Sequence, residues 1–136
     1  MEKKFINPAE LPNWERSFSQ VVAIHSGTVK TIYLSGQVAV DQEHKIIGQG
    51  DLKVQAQYAF CNLRKALAAA GASAADVVKM TIYVVNYKPA DATVIGEVVR
   101  QVFGDKNLPA STWLGVESLA LEGLLIEVEA VAIVES

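Results

Sequence analysis

Two glutamates near the C-terminus, Glu127 and Glu129, form the most suggestive chemical pair in this sequence. The residues around them alternate. Leu124, Ile126, Val128, Ala130, Ala132 and Val134 point one way, while Leu125, Glu127, Glu129, Val131, Ile133 and Glu135 point the other. The stretch therefore reads as a strand, with both carboxylates on one face about 6.6–6.8 Å apart. A carboxylate in a partly apolar setting can move protons once burial tunes its pKa. A carboxylate on an ordinary sheet surface or subunit interface has no such role, and the spacing alone leaves both readings open. Paired carboxylates also serve glycosidases, but a pair on one strand of a small domain has no evident sugar groove.

Other reactive side chains are scattered. Ser35 precedes Gly36, but no nucleophile–base pair is apparent around it. His25 and His44 fall on a strand and in a turn, without the clustered Cys/His set that metal binding needs. Cys61 is the only cysteine, so no internal disulfide can form, and its place in a helical stretch reads as packing. No dinucleotide-binding glycine fingerprint and no P-loop lysine motif occur. The three arginines are Arg16, Arg64 and Arg100, of which the last two fall on helices away from the apolar stripes.

The elements that must position these residues follow from periodicity. Residues 1–16 are polar, contain Pro8 and Pro12, and read as an irregular arm. Residues 21–24 and 30–35 are β-rich around Ser26-Gly27, which reads as a hairpin, and residues 36–40 extend the sheet. Over residues 53–70, Ala56, Phe60, Leu63, Leu67 and Ala70 form one helical stripe, and Gly71 stands where a helix-ending glycine belongs. Residues 77–85 return to strand composition. Pro89-Ala90-Asp91 opens a second helix with Ile95, Val98, Val99, Val102 and Phe103 on one face. Residues 112–116 and 124–134 complete an α+β order of β-β-β-α-β-α-β-β. The expected fold is a mixed sheet with both helices on one face.

The 136 residues make one domain, 51% apolar and 20% charged, with a net charge of −3. This composition excludes a largely disordered chain. No clustered basic surface marks a nucleic-acid partner. No apolar run is long enough to span a bilayer, and the start lacks a signal-peptide core. A soluble protein of a reducing, cytoplasmic compartment is expected. Val131 and Ile133 make even the second face of the last strand partly apolar. Two helices cannot cover both faces, so a further subunit is expected against the other one.

The ordered motifs resemble those of the reactive intermediate deaminase (YjgF-like) family. They are Ser19-Gln20-Val21, Ile32-Tyr33-Leu34-Ser35-Gly36-Gln37, Gln55-Ala56-Gln57 with Phe60-Cys61-Asn62-Leu63, Ala66-Leu67 and Ala70-Gly71. Asp76-Val77-Val78-Lys79-Met80-Thr81, Leu108-Pro109-Ala110 and the segment from Ile126 to Ala132 complete the set. The resemblance implies a chorismate-mutase-like fold and a homotrimer with small-molecule pockets at its subunit interfaces. It also implies hydrolysis of enamines or imines to a carbonyl compound and ammonia, with no metal or organic cofactor expected. The alternative is a non-catalytic trimer that binds a small ligand. A nucleic-acid or translation-related role, also attached to relatives, is disfavoured by the acidity.

By the same resemblance Glu127 positions the attacking water. The family clamps its substrate carboxylate with an arginine after Pro-Ala, since the guanidinium fork pairs bidentately with carboxylates. Here Ser111 follows Pro109-Ala110. A serine carries no charge, so a small 2-imino acid loses its usual anchor. Phe18 replaces the family's tyrosine, while Ile95 and Trp113 stand where asparagine and a smaller residue are common. These three are candidate pocket walls; Ser111, Ser35 and Gly36 are candidate substrate contacts. Arg16, just before the pocket segment, is the candidate replacement cation.

Overall fold

The computed structural model describes residues 1–135. Its elements in chain order are β1 (Glu2–Ile6), β2 (Val21–Ser26), β3 (Val29–Val38), α1 (Leu52–Ala69), β4 (Val77–Val85), α2 (Pro89–Phe103), β5 (Ala110–Val116) and β6 (Ile126–Glu135). A short 3-10 turn, Ala74–Asp76, leads into β4. The six strands form one sheet in the order β1-β2-β3-β6-β4-β5. Only β4 and β5 run parallel as neighbours, joined across α2. β6 lies between β3 and β4, antiparallel to both, and so places its glutamates at the centre of the sheet.

The expected order β-β-β-α-β-α-β-β holds, but its first three members differ. Residues 2–6, expected to be irregular, pair antiparallel with β2 from Glu2↔His25 to Ile6↔Val21. Their polar residues hide the strand from a hydrophobic-pattern reading. An edge strand needs only backbone partners, and charges there discourage pairing with other chains. Residues 30–35 and 36–40, read as successive pieces, lie largely in one strand. β3 runs through residues 29–38 with a register jump between Leu34 and Gln37.

Helix ends follow their local chemistry. Asp51 caps α1 by accepting from the Val54 amide. At the other end Gly71 takes φ +79. Gly71 and Ala72 donate to the carbonyls of Ala68 and Leu67, closing the helix with the paired bonds of a Schellman turn. Pro89 starts α2, and the Asp91 carboxylate accepts from the Lys88 amide.

Both helices cover the same face of the sheet. Ala56, Phe60, Leu63 and Leu67 of α1 and Ile95, Val98 and Val99 of α2 are buried. They belong to one core with Ile32, Leu34, Met80, Ile82, Ile126, Val128, Ala130 and Ala132 from the strands. On the opposite face Tyr33 is 49% exposed, Leu114 45% and Ile133 43%. This is the partly apolar second face that the alternation of β6 anticipates. Cys61, expected to be packed, lies exposed on α1 because it falls off the apolar stripe. No described helix is long and apolar enough to cross a membrane.

Buried amides tie loops to this frame. Gln55, fully buried, donates from Nε2 to the carbonyls of Gly48 and Gly123 and accepts from the Leu125 amide. Replacing it by alanine leaves those backbone groups unpaired. Gln55→Ala is expected to lose about 1–3 kcal/mol of stability, read as a lower denaturation midpoint at unchanged denaturant slope.

Candidate functional site

The register jump in β3 shapes the site. Leu34 pairs with Ala130 and Gln37 with Val128, so Ser35 and Gly36 together oppose Glu129. This is a β-bulge, the device that re-aims side chains beside many active sites. The extra residue shifts the alternation of β3 by one. Gln37 therefore enters the core, while Val38 joins Ser35 on the face that carries Glu127.

Gly36 has no side chain for a steric reason. A Cβ there would lie 2.1 Å from Glu127 Oε2 and 2.6 Å from its carboxyl carbon. The missing side chain is the space that the Glu127 carboxylate occupies.

A second layer fixes the segment facing this floor. Gln37 Nε2 donates to Gln20 Oε1 at 2.8 Å, and Gln20 Nε2 donates to the Pro12 carbonyl at 3.0 Å. Ser35 donates through its hydroxyl to the Ser19 carbonyl at 2.5 Å. These bonds hold residues 12–20 over β3. There the Ser17 and Phe18 amides both donate to the Trp14 carbonyl, and the tight turn stacks Trp14 on Phe18 with ring centroids 6.4 Å apart. His44 meets the Trp14 ring edge-on at 4.5 Å.

Between these layers lies a hollow of about 340 Å³, lined by Trp14, Phe18, Ser35, Gly36, Val38, Ala120, Leu121, Leu124 and Glu127. That volume falls within the usual range for small-molecule sites. Most of the wall is apolar, and Ser35 and Glu127 form its polar end. No lysine or arginine lines it. Burial pushes the Glu127 carboxyl above its ordinary 4.5, and the nearby Glu129 charge adds to the rise. Glu129 in turn accepts a hydrogen bond from the Tyr83 hydroxyl. That bond raises the Tyr83 pKa, with smaller contributions from burial and from the charges of Glu129 and Glu127.

Four of the sequence candidates thus meet in one chain: Phe18, Ser35, Gly36 and Glu127. Ile95 does not join them. It is fully buried beneath α2 in the core, because its position belongs to the helix's sheet-facing stripe. Ser111 and Trp113 also lie elsewhere, on the outer strand β5, with Trp113 Nε1 donating to Ser111 Oγ at 2.6 Å. Their register partners, Met80 and Ile82, point into the core, whereas Glu127 pairs with Tyr83 on the other face. Arg16 is exposed and lines a separate hollow with Trp14 and His44. Sequence reasoning missed Trp14, Leu121 and Leu124. The aromatic pair at i and i+4, Trp14 and Phe18, was the one local signal for the first. Among the described residues no group of three or more His, Cys, Asp or Glu is placed to hold a metal ion.

A raised carboxyl pKa favours the protonated form in the fold. The stability that Glu127 contributes is therefore fully present below 4.5 and lost as pH rises through its elevated native value. Glu127→Gln is expected to melt higher than the parent at neutral pH. Thermal scans should show that advantage shrinking as pH falls through the elevated native value and gone below 4.5.

Comparison with known proteins covers nearly the whole chain. Residues 9–134 match the family described as endoribonuclease L-PSP. The human 2-iminobutanoate/2-iminopropanoate deaminase is 32% identical over 131 residues, covering 96% of this chain and 90% of the human protein. The crystal structure of RidA from a Psychrobacter species superposes with a TM-score of 0.80 at 28% identity, covering 96% of this chain and 99% of that one. A Yersinia pestis member of the conserved Rid protein family gives a TM-score of 0.73 at 37% identity, over 98% and 100% of the two chains.

Proposed function

The chain belongs to the endoribonuclease L-PSP (RidA/YjgF-like) family, and from that membership we propose that it is an enamine/imine deaminase. It hydrolyses a reactive C=N compound to a carbonyl product and ammonia, with a substrate preference unlike that of the 2-imino acid enzymes. The observation that carries this reading is the Glu127 carboxylate, raised in pKa and seated against Gly36 in a mostly apolar hollow. A base works best when its pKa approaches the working pH, which is the direction of this shift. Endonucleolytic chemistry fits less well, since no cation lines the hollow to meet a phosphodiester.

Glu127 takes a proton from water as the oxygen adds to the imine carbon. It then returns that proton to the nitrogen of the carbinolamine formed from the protonated imine. The C–N bond breaks with its electron pair leaving on ammonia, and the hydroxyl proton departs to give the carbonyl. Ser35 contacts the substrate at the polar end and Phe18 forms a wall. We read the architecture as chorismate-mutase-like and the assembly as a homotrimer. The apolar face bearing Tyr33, Leu114 and Ile133 supports that assembly. In it Ser111 and Trp113 serve a neighbouring copy's pocket, since neither reaches the hollow of its own chain.

Ammonia release from enzymically generated imines tests the reaction. Glu127→Gln is expected to lower kcat by about 10²–10⁴-fold; parent-like rates would remove Glu127 from the mechanism. The acid limb of the parent's pH–rate profile is expected above the ordinary carboxylate range, because Glu127 must be ionised to accept a proton. Sedimentation of the parent is expected to give three chains per particle. Ile133→Lys, which places a charge on the open face, is expected to shift it toward monomer.

A further inference from the structure

We infer that this pocket takes a protonated imine with an aryl or bulky alkyl tail and no carboxylate, the product class of primary-amine oxidation. The inference rests on the deaminase reading and names its substrate.

The polar end of the hollow is built for a hydrogen-bond donor. The Ser35 hydroxyl has one hydrogen and spends it on the Ser19 carbonyl. Toward the hollow it offers lone pairs alone. Glu127 beside it is also an acceptor when ionised, and the nearby Glu129 carboxylate, which accepts from the Tyr83 hydroxyl, adds negative charge. An iminium NH2⁺ carries two donors and a positive charge, and so matches these groups. A substrate carboxylate would meet like charge here, since neither lysine nor arginine of the same chain lines the hollow and Ser111, assigned above to a neighbouring copy's pocket, carries no charge. Arg16 lines a separate hollow, which shares Trp14 with this one.

The other end is built for apolar bulk. The stacked Trp14 and Phe18 rings line the hollow together with Leu121 and Leu124. A flat aryl tail fits between such walls, and the aromatic faces attract the adjacent cation. The hollow's volume of about 340 Å³ is ample for a nine-atom aryl-ethyl imine.

The chemistry balances without a further reagent. Iminium carbon gains the oxygen of water, and the displaced proton passes to Glu127. Glu127 returns it to nitrogen, the C–N bond breaks with its electron pair leaving on ammonia, and the hydroxyl proton departs to give an aldehyde or ketone and ammonium. The supplying reaction is a two-electron oxidation of R–CH2–NH2 to R–CH=NH, with dioxygen as the acceptor and an amine oxidase as the catalyst.

Two imines with the same phenyl group form a matched test. One is generated from phenylalanine by an amino-acid oxidase and keeps the carboxylate. The other is generated from 2-phenylethylamine by an amine oxidase and lacks it. Imine decay is followed by competition with semicarbazide. The full-length protein is expected to accelerate decay of the amine-derived imine roughly ten-fold or more over the 2-imino acid. Trp14→Leu is expected to reduce kcat/KM for the phenyl imine by roughly ten-fold, and for the ethylamine-derived imine much less, with recovery in Trp14→Phe. Equal or faster decay of the 2-imino acid overturns the inference and leaves the deaminase reading standing. Acceleration of neither imine overturns both. Equal losses for both amine-derived imines in Trp14→Leu overturn the tail contact.

Discussion

The site depends on the close approach of β3 to the Glu127 carboxylate. Any side chain at residue 36 would occupy the volume that carboxylate fills, with a Cβ only 2.1 Å from Oε2. The bulge at Ser35-Gly36 makes that approach possible and also changes which residues face which way. Downstream of it Gln37 points inward, where an unbulged strand would have aimed it at the open face. One inserted residue thus seats the carboxylate and delivers an amide to the core.

That amide starts a chain of hydrogen bonds. Gln37 holds Gln20, Gln20 holds the Pro12 carbonyl, and the turn bearing Trp14 and Phe18 is suspended between them. Asn62 of α1 donates to the carbonyls of Val38 and Val40, where β3 leaves the sheet. Gln55 does the same for the loop that carries Leu121 and Leu124. Buried amides are costly unless paired. Here each has at least one partner in or bordering a segment with no regular structure of its own, so much of the pocket wall is loop fixed by the core.

The two faces of the sheet divide the labour. The helix-covered face supplies stability through an aliphatic core. The open face holds what a core would not tolerate: two glutamates, a tyrosine hydroxyl on one of them, and exposed Tyr33, Leu114 and Ile133. Carboxylates confined there repel one another and lose part of their hydration. Both effects move Glu127 in the direction that proton transfer requires.

Local periodicity was enough for much of this. The α1 stripe, the alternation of β6, the Pro89 start of α2 and the Gly71 stop all appear as read, because each rests on residues within a few positions of one another. β1 is not legible in this way, since an edge strand needs only backbone partners and carries little hydrophobic pattern. The candidate site was legible in Phe18, Ser35, Gly36 and Glu127, yet not in Trp14 or Leu121, which come from irregular segments. Ile95 looked like a wall only until α2 took its place over the sheet. The amino-acid sequence by itself determined which faces are apolar and that a serine follows Pro109-Ala110. Only the tertiary structure decided that Gly36 is the seat of Glu127, that Trp14 lines the same hollow, and that Ser111 lies away from the hollow of its own chain. Those facts depend on register between distant strands, and a register is a property of the pairing, not of either strand alone.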